Sequence, residues 1–169
     1  MKKLIAVGTA ILILLVVLAG CSKNNSVNND GNDGGVNKVY SFSGGNESIA
    51  ISNGSIVLTP TLELFVGGQL SFMGAEPQNI KSYTAKFYFY LDSDSVETDI
   101  HRVTALVENP DLSVSIASDM GSTSAEKIFN SDDVWDIITA PGGLHFSLSG
   151  TLMDGKTFEY NIILNVTEV

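Results

Sequence analysis

The sequence predicts an all-β domain: an antiparallel β-sandwich of immunoglobulin-like type, with a small β-barrel as the alternative. Three observations lead there. Short apolar runs alternate with period two from Val39 onward. Gly, Asn and Asp punctuate those runs at short intervals. Within the domain, residues 124–138 are the one stretch that reads as a short helical segment. Period-two alternation marks strands with one face buried, and many short strands with turn signals between them favour a sandwich.

In chain order, Ile49 and Ile51 alternate, Asn53-Gly54 intervenes, and Ile56 and Leu58 alternate again. A two-residue type I′ turn there pairs Ile51 with Ile56 and Ile49 with Leu58, so a hairpin is expected. Leu62 to Phe65 and Leu70 to Phe72 read as strands flanking Gly67-Gly68. Ser82 to Leu91 is the longest candidate, with Tyr83, Ala85, Phe87, Phe89 and Leu91 on one face. Val103, Ala105 and Val107 mark another strand, and Leu112 to Ile116 a further one. Between Ser124 and Ile138, acids are interspersed with Ile128, Phe129, Val134, Trp135, Ile137 and Ile138, which suggests short helical turns with Trp135 as a core plug. At the C-terminal end, Leu144, Phe146, Leu148 and Leu152 share a face, as do Phe158, Tyr160, Ile162, Leu164 and Val166. A two-residue turn at Asp154-Gly155 sets Leu148 against Asn161, which has the wrong parity. The odd loop Met153-Asp154-Gly155 sets Leu148 against Tyr160 and Phe146 against Ile162, with Gly155 left-handed.

Ahead of the domain the chain has a different character. Met1-Lys2-Lys3 precedes an uncharged apolar run from Leu4 to Leu18, then Ala19, Gly20 and Cys21. That is the layout of a secretory signal, and the run is short for a spanning helix. Leu18-Ala19-Gly20-Cys21 resembles the lipobox of bacterial lipoproteins at every one of its positions. The resemblance implies a diacylglyceryl group on the Cys21 sulfur and cleavage before Cys21. It gives residues 1–20 as signal peptide, 21–38 as lipidated Cys and tether, and 39–169 as a single domain. Two acyl chains, at ~0.8 kcal/mol per buried methylene, make a stable anchor. Of the 17 residues from Ser22 to Lys38, 13 are Asn, Gly, Asp or Ser. With so little apolar surface this reads as a flexible tether, reaching about 20–25 Å as a random coil.

Phe42-Ser43-Gly44, Ile51-Ser52-Asn53-Gly54-Ser55-Ile56, Phe65-Val66-Gly67-Gly68 and Leu164-Asn165-Val166-Thr167-Glu168-Val169 resemble segments of small uncharacterised β-rich lipoproteins of Gram-positive bacteria. That likeness implies the architecture and the envelope address, and brings no catalytic residues with it. The expected location is the extracytoplasmic face of the cell membrane.

Charge narrows the partners. The chain holds 19 acidic and 9 basic residues, a net charge of −10. Losing Lys2 and Lys3 with the signal makes it −12. Nucleic acid needs a basic face, so it is not an expected partner. Anionic lipid repels such a domain, which leaves anchoring to the acyl chains. One cysteine excludes an intrachain disulfide.

Chemistry is sparse. No phosphate loop and no Gly-x-Ser-x-Gly elbow is present. The two histidines, His101 and His145, have no nucleophile or orienting partner at a telling spacing. On a regular strand Asp99 and His101 share a face and make a charge contact, while His145 points to solvent, opposite Leu144 and Phe146. Asp92, Asp94, Glu97 and Asp99 offer alternate oxygens for Ca2+, a hard ion that seeks six to eight of them; the plainer account is a polar turn. Ser131 with Asp132, Asp133 and Asp136 reads as a capped helix start. The second face of the long strand carries Ser82, Thr84, Lys86, Tyr88 and Tyr90. If that face is open, Tyr88 and Tyr90 stand about 7 Å apart, suited to stacking on a sugar or anchoring a protein. The leading expectation is therefore a non-enzymatic binding or accessory module that meets an envelope protein or glycan. The alternatives are a calcium-stabilised adhesion module and a small envelope hydrolase, which converging acids around a buried His101 or His145 would favour.

Overall fold

The computed structural model describes residues 38–91, 96–129 and 132–169. The domain is mostly β. Its strands are β1 (Lys38–Gly45), β2 (Ile49–Leu58), β3 (Glu63–Val66), β4 (Gln69–Phe72), β5 (Ile80–Tyr90), β6 (Glu97–Leu106), β7 (Ser122–Ala125), β8 (Leu144–Leu152) and β9 (Thr157–Glu168), with one helix, α1 (Asp132–Thr139). Every pairing is antiparallel, in the order β6-β5-β8-β9-β1-β2-β3-β7, and β4 also pairs with β2. The sheet curls until it nearly closes into a barrel.

The inward residues fill the interior. Phe42, Phe65, Phe87 and Phe146 come from four different strands and are almost wholly buried. Phe87 is their hub, with ring centroids 5.8 Å from Phe42, 5.1 Å from Phe65 and 4.8 Å from Phe146. Burying each such side chain is worth about 1.5–3 kcal/mol. In α1, Val134 and Ile138 turn into the core, and Trp135, only half-buried, packs against its edge and meets Tyr40 edge-on at 4.5 Å. The helix ends where Pro141 and the positive-φ Gly142 stop it.

The C-terminal hairpin forms as parity requires. Leu148 faces Tyr160, Phe146 faces Ile162, and Gly155 sits at φ 86°. The N-terminal one does not. Asn53-Gly54 lies inside β2, which runs on from Ile49 to Leu58 against β1. Asn53 is left-handed, at φ 57°, and the register slips between Phe42 and Gly44 of β1. This is a bulge rather than a turn. It keeps Ile51 and Ile56 on the buried side although their numbers differ in parity. The Phe42 ring fills the space over Gly54, where an added Cβ would lie 2.1 Å from it. Beyond the bulge β2 changes neighbour, from β4 to β3, and the corner between those two is Gly67-Gly68.

Three other expectations are corrected. Leu112 to Ile116 is no strand; it touches the sheet through a single bridge, Ile80 to Val114. The helix is shorter than 124–138, because Ser124 belongs to β7, where it pairs with Leu64. Leu91 falls beyond β5 and is 42% exposed.

Candidate functional site

β5 is an interior strand, paired with β6 on one side and β8 on the other. Its inward residues Tyr83, Ala85, Phe87 and Phe89 are buried, so Ser82, Thr84, Lys86, Tyr88 and Tyr90 take the outer face. Tyr88 and Tyr90 do come together there, with ring centroids 5.5 Å apart and planes nearly perpendicular. His145 joins them from β8, directly across from Tyr88. Its ring stacks on Tyr88 at 5.2 Å and meets Tyr90 at 5.1 Å. His145 points opposite Leu144 and Phe146, as its parity suggests, and the two tyrosine rings leave it half-buried there. Beside it on β9, Ile163 is 54% exposed.

The rings lie at different depths. Tyr88 is 6% exposed and Tyr90 38%. The Lys86 ammonium stands 4.8 Å from the Tyr88 ring centre and pairs with Glu97. Burial pushes the Tyr88 phenol well above its ordinary pKa, and the Tyr90 hydroxyl and the charges of Glu97 and Glu159 push the same way. Burial also lowers His145, against smaller opposing effects of the Gly142 backbone and Glu97. Both shifts favour the uncharged forms of Tyr88 and His145, which present ring faces and edges with a few polar atoms.

Past the Lys86–Ser147 pair, where Ser147 is buried, the outer face becomes a shallow trough of about 680 Å³. Ser82, Thr84, Ser149, Thr151, Thr157 and Glu159 line it.

The other sequence candidates fall elsewhere. Cys21, Asp92, Asp94 and Ser131 lie outside the described residues. Glu97 and Asp99 are each taken by a cation, Lys86 and Arg102. Among the described residues no three His, Cys, Asp or Glu converge as metal ligands. Asp99 and His101 do not share a face. Phe87 faces His101 and the next residue, Tyr88, faces Asp99, so a bulge at Ile100 flips the parity between them. His101 turns inward, its ring 6.3 Å from that of Phe87, and its Nε2 donates to the Met120 carbonyl at 2.8 Å. That bond ties edge strand β6 to the segment leading into β7, a structural use of the residue. Among the described residues no helix is long and apolar enough to cross a membrane.

Sequence parity put Tyr88 and Tyr90 on one face of their strand and His145 on the outer face of its own, but did not bring His145 to them. The missing step is the pairing of β5 with β8, which no local signal carries.

No protein-family model, curated protein or solved structure matches this chain.

Proposed function

We propose that this chain is a membrane-anchored extracytoplasmic lipoprotein, diacylated at Cys21, whose β domain is a non-enzymatic binding module of the cell envelope. The observation that carries the binding role is the Tyr88–Tyr90–His145 trio on the outer face of β5 and β8. Alternation asks only for polar residues there. Aromatic rings on a solvent-side sheet face do little for a core already filled from the other side, and they are the side chains on which binding surfaces rest. The Leu18-Ala19-Gly20-Cys21 sequence supports the anchor, and the Asn/Gly-rich stretch after it supports a tether.

For the fold, the same proposal takes the two-layer sandwich form of the nearly closed sheet. Contacts between Phe65 of β3 and Phe87 of β5 favour two packed layers, and β6 and β7 end the strand order without pairing to each other.

The test is crosslinking in intact cells followed by affinity capture of tagged protein, comparing the native chain with Tyr90→Ala. A discrete partner lost in the variant is the expected result. A partner retained unchanged removes the trio as the site. Cys21→Ser tests the anchor: cells fed radiolabelled fatty acid should label the native chain and not the variant, and equal labelling of the two overturns lipidation at Cys21.

A further inference from the structure

The pairing of β5 with β8 lays four cross-strand pairs in a row on the outer face: Tyr88 with His145, Lys86 with Ser147, Thr84 with Ser149, and Ser82 with Thr151. Each step is two residues along a strand, so the row extends about 20 Å at ~3.4 Å per residue. One end is aromatic. The other is the hydroxyl-lined trough.

We propose that this track binds an extended, neutral glycan strand, with one sugar ring stacked on Tyr90 and the following units hydrogen-bonded along the trough. The assignment rests on the binding-module reading and names the ligand class for it. Three observations choose the occupant. First, β5 and β8 have neighbours on both sides, so their backbone groups are already spent on the sheet. An extended peptide that binds by adding a strand has no edge here, and the ligand must be read by side chains from above. Second, two cations beside the aromatic half of the track are paired, Lys86 with Glu97 and Arg102 with Asp99. Glu159 adds negative charge to the trough, and the whole chain carries −10. That complement repels phosphate-rich, sulfated and uronic polymers. Third, serine and threonine hydroxyls donate and accept at once, which matches sugar hydroxyls, themselves both donors and acceptors. The perpendicular rings give the apolar face of a sugar a fixed place to sit.

The experiment uses the full-length lipoprotein in detergent micelles. It titrates neutral hexasaccharides of β-1,4-linked glucose, N-acetylglucosamine and mannose calorimetrically against the native chain, Tyr90→Ala and Ser149→Arg. Both positions are exposed, and equal melting temperatures verify the fold of each variant. At least one hexasaccharide should bind the native protein, and Tyr90→Ala should weaken it about ten-fold, as expected for the loss of an aromatic stacking contact. Ser149→Arg, which lays a long side chain across the track, should weaken it by a similar factor. Binding that survives both substitutions overturns the track. If no hexasaccharide binds while Tyr90→Ala still abolishes the partner captured in cells, the glycan assignment falls and the binding-module reading stands on a protein ligand. If no hexasaccharide binds and capture ignores Tyr90, both fall.

Discussion

The two faces of β5 are made by the same strand and obey different rules. Inward, Tyr83, Ala85, Phe87 and Phe89 are buried among residues of other strands. There, volume decides, and little can change without leaving a hole or a clash. Outward, Tyr88 and Tyr90 pack mainly on each other, His145 and Lys86. Their apolar area exceeds what a sheet surface requires. The contrast separates what the strand does for the fold from what it offers a ligand, and single substitutions can test that separation.

The largest effect is expected at Phe87. Phe87→Ala opens a cavity at the meeting point of Phe42, Phe65 and Phe146 and should cost about 3–5 kcal/mol in urea unfolding. Tyr88→Ala should cost about 2 kcal/mol, since the ring is nearly covered but its contacts lie on one side only. A cost at Tyr88 as large as at Phe87 would dissolve the distinction between the faces. His145 supplies a smaller, pH-dependent effect. Its folded pKa lies below the unfolded value, so the unfolded chain takes up a proton first on acidification. Stability from this group is full above pH ~6.5 and falls as pH drops through the unfolded and then the folded pKa. Melting temperatures followed from pH 7.5 to 5 should decline, and His145→Gln should flatten part of that decline. A native profile no steeper than the variant's would show that the ring's burial carries no proton linkage. Tyr90→Ala is the smallest in stability, within about 0.5 kcal/mol of the native chain by urea unfolding, and the largest in ligand capture.

Much of the fold was readable because parity is a local property. The C-terminal hairpin has two long strands, and only one register put Phe146 and Leu148 opposite apolar partners. Asn53-Gly54 misled because its backbone preference, a left-handed residue beside glycine, serves a bulge as well as a turn. What decides between them is Phe42, a side chain from another strand that occupies the space over Gly54. The site was half legible for a related reason. Tyr88 and Tyr90 declare their face by spacing, whereas His145 reaches them only through a strand pairing that skips over β6, β7 and α1. Regular alternation puts His101 on the face of Val103 and Ala105, whereas the extra residue, Ile100, turns Asp99 to the other face, which alternation does not foresee.

One strand carries a consequence for how the domain comes into being. β9 is the last element in chain order, yet it lies in the middle of the sheet, between β8 and β1. Until Thr157–Glu168 has emerged, no strand ladder links the β1 group to the β5–β8 group. Their contacts are distant in sequence, and such topologies assemble slowly. The sheet therefore stays in two parts until that strand is made. A chain that stops short of β9 presents two unfinished sheet edges, which mark it for aggregation or degradation.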